Sequence, residues 1–175
     1  MNENQTAAKN SFYQNPADNF ERKNTQSFMV DFTIGATTTF STTLHEPLKI
    51  DKLSDIYLES LTTWKATGRD LLASARGGVQ YTDNMAFVMG IDQLPIQSNS
   101  SNSVLFNKII IPNSVTGTSA PSATSVHKSR KLNFICSVNP MTLSTISGSI
   151  TNMFGATSFA AGGRFIVEFI IVARE

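Results

Sequence analysis

The sequence predicts an all-β fold: an eight-stranded antiparallel sandwich or barrel, a count that matches a jelly roll of two four-stranded sheets, behind a polar N-terminal arm. Three observations predict it. Only 15% of the 175 residues are charged, so the polar surface must come from Ser, Thr, Asn and Gln, which favour strands and turns over helices. Eight segments of strand length alternate or run apolar, with turn residues between them. Only 66–76, with Asp70-Leu-Leu-Ala-Ser-Ala before Gly77-Gly78, suits a helical turn or two.

Residues 1–26 make the arm. Lys9, Arg22 and Lys23 balance Glu3, Asp18 and Glu21, and Phe12, Tyr13 and Phe20 are scattered among Asn, Gln and Ala. This composition fits a disordered tail, or an arm that orders against a partner with Phe12 and Tyr13 as anchors. Its neutrality argues against a nucleic-acid arm, which would be strongly basic.

The jelly-roll domain is 27–175. In the first strand Phe28, Val30, Phe32 and Ile34 alternate with Met29, Asp31 and Thr33. The second runs over 38–44, and Pro47 is expected to break its ladder. The third lies within 50–63, with Ile56 and Leu58 opposite Tyr57 and Glu59. The fourth covers 85–91; the fifth covers 104–111 and closes at Pro112. The sixth, 132–138, ends at Asn139-Pro140, and the seventh spans 143–153. Segments 97–103 and 113–129 are Ser/Thr/Asn-rich and read as exposed loops, and Gly162-Gly163 as a turn into the last strand.

That last strand, 164–174, differs from the others. Phe165, Val167, Phe169, Ile171 and Ala173 point one way; Ile166, Glu168, Ile170 and Val172 point the other. A strand with one wet face alternates apolar and polar, and this one is mostly apolar on both. One face therefore belongs to the core. The other, Ile166 to Val172, is a candidate subunit interface.

Several function classes are disfavoured. A net charge of +1 provides no field for nucleic acid or an acidic membrane. The single cysteine, Cys136, forms no internal disulfide framework and fits a reducing compartment. No run nears the roughly 20 apolar residues that span a bilayer, and the N-terminus lacks an apolar signal core. His45 and His127 are scattered, so no metal or cofactor is expected. Phosphate-loop, dinucleotide and nucleophile-elbow motifs are missing, and Cys136 reads as a small core residue, so no catalytic residue is assigned. Asp51, Asp55 and Glu59 would share one strand face at steps of about 13 Å, too far for a glycosidase pair. His127, Lys128, Arg130 and Lys131 read as a solvated loop end, or as an ion-pairing patch against a neighbouring subunit in which Lys128 and Arg130 are the candidates.

Three groups of segments carry a family resemblance: Leu48-Lys-Ile-Asp-Lys-Leu-Ser-Asp-Ile-Tyr-Leu-Glu-Ser; Asn107-Lys-Ile-Ile-Ile-Pro-Asn; and Leu132-Asn-Phe-Ile-Cys-Ser-Val-Asn-Pro-Met-Thr-Leu with Ser147-Gly-Ser-Ile-Thr and Gly163-Arg-Phe-Ile-Val-Glu-Phe-Ile-Ile. Together they resemble the single-jelly-roll capsid proteins that occupy fivefold vertices, as pentons, in large icosahedral double-stranded DNA viruses. The resemblance covers 27–175, and its motifs are strand-like rather than catalytic. It implies a virion structural protein made in the host cytoplasm. Five copies would close a vertex among larger double-jelly-roll capsomers, with major and minor capsid proteins as neighbours. It also implies that the first and last strands lie side by side, at the centre of their sheet. The alternatives are another minor capsid or spike-base protein of the same fold, a trimeric lectin-like or cytokine-like binding module, and a cupin-like enzyme, which two distant histidines do not supply with a metal triad.

Overall fold

A computed structural model describes residues 25–34, 37–66, 71–73, 79–81, 85–114 and 124–174. These residues form two four-stranded sheets and a small hairpin. The strands are β1 (Thr25–Ile34), β2 (Thr39–Ile50), β3 (Ser54–Ala66), β4 (Leu71–Ala73), β5 (Val79–Tyr81), β6 (Ala86–Ile91), β7 (Ile109–Pro112), β8 (Thr124–Val138), β9 (Met141–Thr151) and β10 (Phe159–Ala173). One sheet has the order β1-β10-β3-β8 and the other β2-β9-β6-β7, with every pairing antiparallel. With the β4–β5 hairpin set aside, this is the jelly-roll order: consecutive strands sit in opposite sheets except β6 and β7, which pair within one, and the first strand pairs with the last.

The inward faces follow the alternation of the sequence. Phe28, Val30 and Ile34 of β1 and Phe165, Val167, Phe169 and Ile171 of β10 are buried. They meet Phe40, Phe87, Met89, Ile146 and Ile150 from the other sheet. Phenyl rings supply much of the contact. Phe28 stacks on Phe169 at 5.0 Å, and Phe40 meets Phe165 edge-on at 5.2 Å; such geometry adds about 0.5–1.5 kcal/mol per pair beyond area burial.

The structure departs from the sequence expectations at several points. β2 does not stop at Pro47; it continues to Ile50 through an irregularity between Thr43 and Leu48, where a proline costs no ladder bond. The fifth strand is only Ile109–Pro112, because 103–107 form turns in which Asn107 holds a φ of 53°. Within the segment expected to be helical, 71–73 form β4, whose partner is β5; 67–70 and 74–78, with Gly77-Gly78, lie outside the described residues. β8 begins at Thr124, so 124–129 are strand rather than loop: pairing with β3 overrides their loop-like composition. Gly162-Gly163 lie inside β10, where the register against β3 shifts between Phe159 and Arg164 and Gly162 takes a φ of 71°. β1 is an edge strand, and β10 and β3 are the interior strands of that sheet, so only one of the two pairing strands sits centrally.

Candidate assembly interface

β10 presents its second face on the outside of the β1-β10-β3-β8 sheet. Ile166, Glu168, Ile170 and Val172 are each half-buried there, while their inward neighbours are buried. The register fixes what flanks them. Ile166 lies between Asp31 and Thr62, Glu168 between Met29 and Ser60, Ile170 between Ser27 and Tyr57, and Val172 between Thr25 and Asp55. Apolar surface continues onto both edge strands. Met29 of β1 is 60% exposed and Phe134 of β8 is 56% exposed, and the Phe134 ring meets Tyr57 edge-on at 5.8 Å. Trp64 is exposed at the far end of β3, with Lys65 Nζ 4.5 Å above its ring.

Two ion pairs bracket the apolar stretch. At one end Arg164 donates from Nε to Asp31 Oδ1 at 2.6 Å and from Nη2 to Oδ2. At the other, Arg174 grips Asp55 at 2.7–3.0 Å, and Ser137 joins both, donating to Asp55 Oδ1 at 2.6 Å and accepting from Arg174 at 2.8 Å. The Arg164 hydrogen bonds hold the Asp31 carboxyl below its ordinary range, and those from Arg174, helped by Ser137, do the same for Asp55. Arg164, Asp31 and Arg174 are about half exposed and Asp55 less so, and the pairs orient the sheet's ends more than they stabilise it.

Glu168 differs from both aspartates. It accepts a hydrogen bond from Ser60 Oγ at 3.5 Å and takes part in no ion pair with the described residues. Among the residues whose side chains are described, none pairs a cation with the carboxylate between Ile166 and Ile170. A partner that covers this face would have to compensate a charge left so, because an uncompensated charge is costly to bury.

The other sequence candidates fall in different places. Lys128 stands in register with Ser60, in the same row as Glu168. Arg130 lies in an irregular stretch, where 129–132 face only Glu59 between the pairs Leu58–Asn133 and Ser60–Lys128. Phe12 and Tyr13 lie outside the described residues. His127 is no solvated loop residue: it sits on β8, 4% exposed and facing the core. Asp51 precedes β3 and is exposed, and Glu59 sits at the bulge, so the expected row of three carboxylates does not form. Cys136 is buried as a core residue. Burial, with a smaller contribution from the Asp55 charge, pushes its thiol up to about 11, which leaves it a poor nucleophile.

Sequence reasoning missed Met29, Tyr57, Trp64 and Phe134 as members of this face. Alternation along each strand placed the first two outward, but nothing in the sequence showed which strands would flank β10. No group of three or more His, Cys, Asp or Glu among the described residues can hold a metal ion. No described helix is long and apolar enough to cross a membrane. Comparison with protein-family models gives no match, and comparison with curated proteins gives none.

Proposed function

We propose that the chain is a viral capsid structural protein, a penton whose five copies close a fivefold vertex through contacts between subunits and with neighbouring major and minor capsid proteins. The observation that carries this reading is the outer face of β10, where Ile166, Ile170 and Val172 continue into Met29 and Phe134 around Glu168, which forms no ion pair among the described residues. The jelly-roll strand order supports it as a fold suited to lateral packing, and the sequence resemblance to vertex proteins supports the fivefold form. The reading assigns the chain no catalytic residue, no cofactor and no direct nucleic-acid contact, and places it in the virion.

Magnitudes shape the expected assembly. Fully burying one large apolar side chain contributes about 1.5–3 kcal/mol, and several on this face are already half-buried. The remaining gain is several kcal/mol per contact, against association costs of about 4–15 kcal/mol. A single pair of subunits is therefore weak. A closed ring gives each subunit two such contacts and becomes the stable species.

The test is native mass measurement on the purified protein, with Ile170→Asp beside it. A pentamer that the substitution dissolves supports the reading. A trimer favours a binding module, and a monomer at high concentration argues against an interface on this face.

A further inference from the structure

The two sheets have neighbouring edges along one side of the sandwich, where β7 ends one sheet and β8 the other. Each is hydrogen-bonded to a single neighbour, β7 to β6 and β8 to β3. One end of this seam holds an open groove of about 640 Å³ lined by Ile109, Ile110, Phe134 and Cys136. At the other end the seam is closed by His127.

The ring of His127 reaches across both sheets. Its Nε2 lies 3.1 Å from Thr63 Oγ1 of β3. Its Nδ1 accepts the Ser114 N–H at 3.1 Å and lies 2.8 Å from Ser114 Oγ, just beyond the end of β7. Phe87 of β6 packs edge-on against the ring at 5.0 Å. A backbone N–H only donates, so Nδ1 must be bare; the ring proton then sits on Nε2 and is donated to Thr63. The groups facing the ring are Thr63 from β3, Phe87 from β6, and Ser114 with the Pro112 carbonyl at the end of β7. None is ionisable. The charged residues nearby on its own strand, Lys128, Arg130 and Lys131, are all cations.

We propose that His127 is a pH-operated latch at the end of β7: its neutral ring accepts the Ser114 N–H, and its protonation frees that amide while the new Nδ1–H donates to Ser114 Oγ instead. A proton on Nδ1 sets one N–H against another, so the Ser114 N–H bond is lost, while Thr63 keeps its bond to Nε2. The release is local, because β3 keeps its Thr63 bond to Nε2 and the Ser114 N–H is the one backbone donor on the ring among the described residues. Burial opposes the charged ring and draws its pKa below 6.5, partly offset by the Pro112 carbonyl, so the change lies on the acid side of the ordinary histidine range.

The test is made on the full chain in a His45→Gln background, which leaves one histidine. Ring ¹⁵N shifts follow the protonation of His127, and amide hydrogen exchange, corrected for its intrinsic pH dependence, follows the Ser114 N–H. The expected result is a bare Nδ1 at pH 7.5, and a tenfold or greater loss of protection at Ser114 that tracks the ring titration down to pH 5. Leu61 and Val167 keep theirs. A His127→Gln variant, which cannot take the charge, should show no such step. A proton on Nδ1 at pH 7.5, a Ser114 amide whose exchange ignores the titration, or equal loss at Ser114 and the core amides each overturns the proposal. The ring shifts and wild-type exchange decide the matter even if His127→Gln fails to fold.

Discussion

Residues with similar chemistry hold opposite positions in this molecule, and pH separates them. Asp31 and Asp55 are held below the ordinary carboxylate range by Arg164 and Arg174. Their contribution to stability is complete above the unfolded value near 4 and is lost as pH falls through the depressed folded values. His127 has a lowered pKa too, but for a base that means its contribution is complete above 6.5 and is lost as pH falls toward the folded value. Acid denaturation should therefore weaken the fold in two windows, one below about 6.5 and one below about 4. Unfolding midpoints measured in urea from pH 8 to 3 check this. In His127→Gln the upper window should vanish and the lower one persist; a single step below pH 4 in the wild type would contradict it. Two glycines give a sharper contrast. A Cβ on Gly148 would lie 2.0 Å from the Gly90 carbonyl oxygen, a backbone atom with nowhere to go. A Cβ on Gly90 would lie 2.3 Å from Lys108 Nζ, the end of a flexible side chain. Gly148→Ala should cost about 1–3 kcal/mol or more. Gly90→Ala should cost clearly less, and equal losses in chemical denaturation would contradict this assignment of close contacts.

Among the elements, β10 shows how one strand serves two environments. Phe169 is fully buried against Phe28, while Ile170, the next residue, is half-buried on the outer face. Phe169→Ala should cost about 3–5 kcal/mol of folding stability. Ile170→Asp should leave the subunit folded and impair assembly; circular dichroism and light scattering separate the two effects. An Ile170→Asp protein that loses its fold would mean that the outer face is part of the subunit's own core. Both faces of β10 were legible in the sequence because a period of two needs no tertiary information. The same holds for β1, where the alternation of Phe28, Val30 and Ile34 leaves Met29 and Asp31 outward. Elements whose strand character comes from a partner were not legible. The start of β8 is rich in Ser, Thr and basic residues, and only its register with 60–64 of β3 makes it strand. For that reason His127 reads as a loop residue in sequence and is a core residue in the fold. The bracketing ion pairs were equally hidden, since Arg164 and Asp31 lie 133 positions apart and Arg174 and Asp55 lie 119 apart.

At the scale of the whole molecule, the jelly roll turns a chain with few charges into a body with one unusual side. The inner faces of the two sheets bury each other, and the outer face of β1-β10-β3-β8 keeps Met29, Phe134, Ile166, Ile170 and Val172 wholly or partly open to solvent around Glu168, which forms no ion pair among the described residues. The proposed ring buries that surface and sets a cation against Glu168. Glu168→Lys should then weaken assembly more than Glu168→Gln, an order that reverses if the neighbouring copy presents an acid there instead. The central claim is that this face joins copies of the chain, and sedimentation of wild type and Ile170→Asp over a range of concentrations tests it most directly. The account predicts a wild-type pentamer with few intermediates and an Ile170→Asp monomer; a wild type that stays monomeric throughout, or a pentamer indifferent to the substitution, would contradict it.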